Sequence, residues 1–378
     1  RQVVAVAAPG VPCPRISIYL SIFSLLFVVR LSGYTRTAPP RPPNSPSGRG
    51  GAHKRRTRMF AAQPNGTLPP VFDCQHKQHC SQLCGSSKNG PGAYHNRNST
   101  LVLYSYHEPE GNKTSFEAAT SGEVARANLR FFIQEGVLGK AAPAMDEAHF
   151  VFVINGRRLG VELPIRPNVQ RHDRDNVGFE FCGVAEVLTM LASQGLMKFA
   201  FFIFLNSSVR GPFYPVFLPR FTWTHGLTHR LDAKVKLSGI SIGCGMRPGF
   251  IHLQSFLLAT DCVGLRVISP AVRCAATKKD AIFGTEFPIS RSILGAGYNL
   301  ASTMRFWYGH NFRHVASTIK KCGQFTSQRG DVMTPGKYLA EGVDPNPIEL
   351  MFVKLNRGDM PSTTIYEPLG PQVPGRRR

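Results

Sequence analysis

From Leu101 onward, continuous apolar runs alternate with segments of helical spacing. LVLYSYHE (Leu101–Glu108) is apolar until its last residues turn polar, as a strand buried on both faces would be. In Gly122–Gly136, Val124, Leu129, Phe132 and Ile133 recur at helical spacing, and HFVFVIN (His149–Asn155) predicts a second buried strand. Strand, helix, strand implies a parallel sheet. The alternation continues with a short strand within Asn168–His172, a helix over Gly183–Gly195 and a strand over Phe199–Asn206. The predicted fold class is therefore α/β, a mostly parallel sheet flanked by helices in one domain. Ligands of such sheets gather where the strands' carboxyl ends stop. The polar ends collected there are Tyr106-His107-Glu108, Asn155-Gly156, His172-Asp173 and Asn206-Ser207-Ser208.

The chain ahead of this body has another character. Ile16–Val29 is an uncharged apolar run of 14 residues between Arg15 and Arg30. It is shorter than the roughly 17–25 residues of a spanning helix, so it fits a secretory signal or a short signal-anchor in a thin membrane. The first methionine is Met59, and translation from there would omit this segment. Residues 38–70 are rich in Pro, Arg, Gly and Ser, a composition that extends rather than packs. The expected organisation is a signal or anchor segment (1–35), a stem with a cysteine cluster (36–98), the folded body (99–357) and a disordered basic tail (358–378). It implies contact with a Golgi or ER membrane and a luminal body. Four sequons, at Asn65, Asn98, Asn112 and Asn206, give that address modest support, and Asn206 is expected to be buried and unglycosylated. Cys74, Cys80 and Cys84 match no standard zinc finger, so disulfides are the better reading there. Cys182, Cys244, Cys262, Cys274 and Cys322 lie in apolar contexts and are expected to be buried small hydrophobes.

Charge changes this picture less than its size suggests. The formal net charge is +22, but residues 1–60 hold ten Lys/Arg and no acid, and Arg376–Arg378 add three more, leaving +9 for the rest. A mild excess on a globular body suits an anionic ligand such as a nucleotide, and no basic stripe interleaved with aromatics marks a nucleic-acid partner.

The loop Asn176-Val-Gly-Phe-Glu180, the helix after it, and Phe199–Leu205 running into Asn206-Ser-Ser-Val-Arg-Gly-Pro212 resemble the nucleotide-sugar half of inverting glycosyltransferases with the Rossmann-like GT-A fold. There an N-x-G loop precedes a helix and a strand that ends in an acidic D-x-D pair. More narrowly, the chain looks like a glycosyltransferase-like family of algae, fungi and plants related to the rhamnan-synthesis F proteins. The runs that carry this likeness are FFIFLNSSVRGPF (201–213), AKVKLSG (233–239), HLQSFLLATDCVGL (252–265), TEFPISRSILGAGYNLAS (285–302) and ELMFVKLNR (349–357). They span roughly Leu101 to Arg357, about two-thirds of the chain.

The resemblance implies transfer of a sugar from a nucleotide-sugar donor to a glycan or glycoconjugate acceptor with inversion. Such chemistry needs a carboxylate to deprotonate the acceptor hydroxyl and cationic groups to face the leaving diphosphate. Glu286 stands where the second acid of the family 2 "ED-x-[DE]-L-S-x-R" helix start stands, and is the expected base; the plain alternative is an acid stabilising a helix N-terminus. Tyr106, Asp173, Asp175, Asn176, Gly178, Asn206, Ser208 and Arg210 are the candidates for holding the nucleotide. His252, Gln254, Asp261 and Arg291 are the candidates for the acceptor side, although Asp261 could cap the next helix and His252 could be a core histidine. Trp223 and Trp307 fit the core better than a sugar platform.

The metal site is where this sequence departs from the family. Asn206-Ser207-Ser208 replaces the acidic pair, and amide and hydroxyl oxygens are poor ligands for Mg²⁺ or Mn²⁺ without carboxylates. Either the protein is metal-independent, with Arg210 or another cation facing the diphosphate, or an acid such as Asp232 or Asp261 supplies a ligand. Two rivals from other classes stand beside the enzyme. A binding or scaffold protein with the same fold and no turnover would also lack the acidic pair; a hydrolase is disfavoured because no G-x-S-x-G elbow is present.

Overall fold

Seven strands form one mixed sheet in a computed structural model that describes residues 99–108, 122–194, 199–215, 221–244, 251–325, 333 and 345–355. The expectations for the N-terminal segment, the stem, Cys74–Cys84, three of the four sequons and the basic tail lie outside these residues. Among the described residues no helix is long and apolar enough to cross a membrane.

The predicted strands are present as β1 (Thr100–His107), β2 (Ala148–Asn155), β3 (Val169–Arg174) and β4 (Phe201–Asn206), all mutually parallel along the order β3-β2-β1-β4. That is the order of one half of a doubly wound nucleotide-binding sheet, in which the chain steps outward from β1 and then returns to its other side. The switch point therefore lies between β1 and β4, where Ser105 pairs with Asn206. Beyond β4 the sheet becomes mixed. β6 (Val235–Gly239), β9 (Leu257–Asp261) and β10 (Asn299–Ser302) complete the order β10-β6-β9-β4, with β9 antiparallel to both of its neighbours.

Helix α1 (Gly122–Phe131) and its π turn Phe132–Val137 cover one face, because Ala125, Leu129, Phe132 and Ile133 share a stripe. Phe132 sits in an aromatic core with Tyr104 (ring centroids 4.8 Å apart), Trp223 (5.6 Å) and Phe352 near both. Trp223 and Trp307 are both buried, so neither is a sugar platform. Phe352 belongs to the segment Met351–Leu355, whose short strand β11 (Val353–Lys354) pairs antiparallel with β5 (Val209–Arg210) just past β4. Gly211 is where this return approaches closest. Its φ is +152°, and a Cβ there would lie 2.4 Å from the Met351 carbonyl oxygen.

Helix α2 (Glu180–Ser193) begins three residues earlier than its apolar pattern suggests, which puts Glu180 in its first turn. Trp223–Thr228 forms the short α3, and α4 (Cys262–Ile268) follows β9 directly. The run 278–295 is continuous: α5 (Lys278–Ala281), a π turn (Ile282–Glu286) and α6 (Phe287–Gly295). Its start is capped by Thr277, whose hydroxyl accepts from the Asp280 amide at 3.1 Å. The π turn has a local cause. Pro288 has no N–H for a carbonyl one turn back, and the Phe287 N–H bonds to the Ile282 carbonyl five residues behind it. Glu286 is thus two turns inside a helical run, which corrects the expectation of a helix start there.

The cysteines also differ from expectation. Cys182 is joined to Cys274, Cys244 to Cys322, and Cys262 is disulfide-bonded as well. Apolar surroundings could not reveal pairings between residues 92 and 78 positions apart.

Candidate functional site

The carboxyl edge of the sheet at the β1/β4 switch point gathers polar side chains from four separate parts of the sequence. Asn206 ends β4; its Oδ1 accepts from the Ser208 amide (3.0 Å) and hydroxyl (2.5 Å), closing an Asx turn. Its Nδ2, the atom a glycan would occupy, donates to the carboxylate of Glu180. Glu180 also takes a hydrogen bond from Ser255 and feels the charge of Lys354. Burial pushes the Glu180 carboxyl above the usual carboxylate range, and the Asn206 and Ser255 bonds with the Lys354 charge oppose this without cancelling it. Lys354 is held over the Phe256 ring, 5.2 Å from its centroid, and the Phe256 carbonyl accepts from the Asn206 amide at 3.2 Å.

The loop before Glu180 is rigidly built. Gly178 has φ +81°, and a Cβ on it would come within 2.7 Å of the Cys182 sulfur and 2.9 Å of the Cys274 Cβ. Its carbonyl accepts from the Ala275 amide at 3.0 Å, so the Cys182–Cys274 bridge and this bond pin the loop to the segment after α4. Phe179, 42% exposed, has φ 64° and ψ −175°. A non-glycine residue there costs about 1–3 kcal/mol, which surrounding structure must offset. Arg174 braces the same loop: it donates to Asn155 Oδ1 (2.6 Å), the Val177 carbonyl (2.8 Å) and both oxygens of Glu186 (2.9 Å each).

Burial alone would raise the Glu186 carboxyl, but His172, whose Nε2 lies 3.7 Å away, and the paired hydrogen bonds and charge of Arg174 bring it down to about 2 from 4.5. A depressed folded value contributes stability that is present above the unfolded value and lost as pH falls through the folded one. The melting temperature should therefore drop between pH 4.5 and about 2, and Glu186→Gln should flatten part of that drop in melts recorded across the range; an unchanged profile would dissociate Glu186 from the acid sensitivity. Glu180 has the opposite sign. Its raised value means that deprotonation costs stability as pH rises above 4.5. Glu180→Gln should melt higher than wild type at pH 7, with the gain vanishing below pH 4.5. A lower melting temperature at pH 7 would show the charge is stabilising instead.

Residues proposed from sequence separate into two groups. Asn206, Ser208, His252, Gln254 and Glu286 share the carboxyl edge. β7 (Ile242–Gly243) continues past the end of β6 and pairs with β8 (His252–Leu253). α6 rests on β8: the His252 and Phe287 rings lie 4.3 Å apart, and the Leu253 amide donates to Ser290 Oγ at 3.0 Å. Half-buried Glu286 directly precedes Phe287 in the chain. Gln254 is tied to Ser241 by its side chain and backbone, one residue before Ser255 reaches Glu180. Asn176 donates toward His107 Nε2 at 3.3 Å at the ends of β3 and β1.

The second group lies elsewhere or is already committed. Asp261 pairs in register with Phe201, the first residue of β4, so it stands at the amino edge, about 16 Å from Asn206 at the strand rise per residue. There it caps α4 through the Gly264 amide (2.8 Å) and pairs with Lys236 (2.6 Å). Asp232 is at the same far edge, its Oδ1 accepting from the amides of Lys234 and Val235 at 2.7 Å each. Neither acid is placed to complete a metal site at Asn206. The Tyr106 ring is fully buried and its hydroxyl donates to Glu108 at 2.9 Å, which corrects its assignment to the nucleotide. Asp173 and Asp175 are exposed and face Arg171 and Arg157 respectively. Arg291 is exposed on α6. Arg210 turns back to Asn128 Oδ1 (3.0 Å).

Sequence reasoning gave no role to Glu180 or Lys354, although both lie in runs singled out for the family likeness. The signal available was a charged residue inside an otherwise apolar or glycine-rich run. Cys182, Glu186 and Cys274 also cluster closely enough for a metal, but both sulfurs are spent in the disulfide. No protein-family model matches the chain, and no curated protein matches it either.

Proposed function

We propose that the chain is an inverting, GT-A-like glycosyltransferase that moves a sugar from a nucleotide-sugar donor to a glycan or glycoconjugate. The observation that carries this reading is the cluster Asn206, Ser208, Glu180 and Lys354 at the β1/β4 switch point, with Glu286, His252 and Gln254 on the neighbouring part of the same edge. A switch point in a 3-2-1-4 sheet is where nucleotides bind, and the mixed half beyond β4 gives a second surface for an acceptor. In this reading the Glu286 carboxylate takes the acceptor hydroxyl's proton as its oxygen bonds to the anomeric carbon. The bond from that carbon to the diphosphate breaks on the opposite face, and the diphosphate leaves with the electron pair. A divalent metal would supply charge neutralisation at the diphosphate. The residues present fit one poorly, since the Asn206 carbonyl oxygen already accepts two hydrogen bonds and Lys354 brings a positive charge to the Glu180 carboxylate.

The disulfides support an oxidising compartment, in keeping with a luminal body tethered to a Golgi or ER membrane by the N-terminal segment. A thermal-shift screen of the chain against nucleotide sugars, each with and without Mn²⁺, tests the function. One nucleotide sugar should raise the melting temperature, and NMR of the product should show an inverted anomeric centre. A folded chain that no donor stabilises would favour a non-catalytic scaffold.

A further inference from the structure

We infer that Lys354 holds the donor's diphosphate and that this binding needs no divalent cation; the inference rests on the reading above. Three observations lead there. The first is the donor set. A hard divalent cation wants several carboxylate or free carbonyl oxygens, whereas Asn206 Oδ1 is occupied by the Ser208 amide and hydroxyl, and Asn206 Nδ2 faces the Glu180 carboxylate. Asp232 and Asp261, the acids that could have compensated, sit at the far edge of the sheet.

The second is where the cations are. Arg210 follows β4 directly, but its Nε donates to the buried Asn128, whose own Nδ2 donates to the Ser207 carbonyl at 2.9 Å. Arg126 and Arg158 both contact the buried carboxylate of Glu108. Among the described residues, Lys354 is the basic side chain whose charge bears on Glu180, the partner of Asn206. The third is how firmly Lys354 is placed. Val353 pairs with Arg210 and Lys354 with Val209, the Leu355 amide donates to the Ser208 carbonyl at 3.0 Å, and Phe352 is locked in the aromatic core. With its backbone held on both sides and its ammonium resting over the Phe256 ring, Lys354 has less freedom to lose when an anion arrives, and a preorganised cation is what a departing diphosphate requires. A metal ion added beside it would meet repulsion from the ammonium group.

Titration calorimetry of the chain with uridine diphosphate, guanosine diphosphate and pyrophosphate, in EDTA and in Mn²⁺, tests this. For the nucleotide that binds, Kd should agree within about twofold between the two conditions, Lys354→Met should weaken it about tenfold or more in both, and Lys354→Arg should stay within about threefold. Melting curves of each variant report whether it folds, and the EDTA comparison on wild-type protein needs no variant. Binding that requires Mn²⁺, or a folded Lys354→Met that binds as tightly as wild type, overturns the inference and leaves the glycosyltransferase reading standing. No binding by any of the three probes overturns both.

Discussion

Glu286→Gln should abolish measurable sugar transfer, a fall of about 10²–10⁴-fold, while leaving the melting temperature and donor affinity close to wild type. The amide keeps the size and hydrogen-bonding reach of the carboxylate but cannot accept a proton, so the chemical step alone is removed. Position in the fold makes the test clean. A glutamate at a helix start interacts with the helix dipole, and its loss would cost stability as well as rate. Glu286 instead closes a π turn inside the run 278–295, whose N-terminus is capped by Thr277. π turns interrupt helices at functional sites more often than elsewhere, and this one turns about Pro288 beside the His252–Phe287 contact. Initial rates of transfer and donor affinity, measured on the same preparation, separate the possibilities. Undiminished transfer would remove Glu286 from the mechanism and make Glu180, a second half-buried acid among the described residues of this edge, the next to replace.

How much of this was legible in sequence depended on how local its cause is. β1, β2 and β4 declare themselves because both of their faces are buried, so their middles read as apolar runs that turn polar toward the carboxyl end. β6, β9 and β10 are four or five residues long, and β9 runs antiparallel, so neither length nor crossover pattern announces them. The carboxyl-edge residues Asn206 and Ser208 were readable as the polar end of a strand. Glu180 and Lys354 were not, because their meaning comes from partners far along the chain: Asn206 is 26 residues from Glu180, and Lys354 reaches it only through the return of β11 onto β5. Tyr106 misled for the converse reason. It stands where polar residues begin, but β1 buries its ring and Glu108 takes its hydroxyl.

Removing the Cys182–Cys274 bridge by Cys182→Ser with Cys274→Ser should destabilise the body by about 3–4 kcal/mol, roughly 6–16 °C in melting temperature. The bridge closes a loop of 92 residues, and the freed unfolded chain gains the corresponding entropy. The Cys244–Cys322 bridge closes 78 residues, a nearly equal constraint because closure entropy grows only with the logarithm of length. Its removal should therefore cost a similar amount. What distinguishes the two pairs is function. Only the first holds the Gly178 carbonyl against Ala275 and so fixes Phe179 in a conformation that a free chain avoids. Once that clamp is gone, Phe179 can relax, α2 can lose its first turn, and Glu180 need no longer meet Asn206. Donor affinity should consequently fall in the Cys182/Cys274 variant and persist in the Cys244/Cys322 variant, when both are assayed well below their melting temperatures. Equal affinities would mean that Arg174, through Val177 and Glu186, holds the loop by itself.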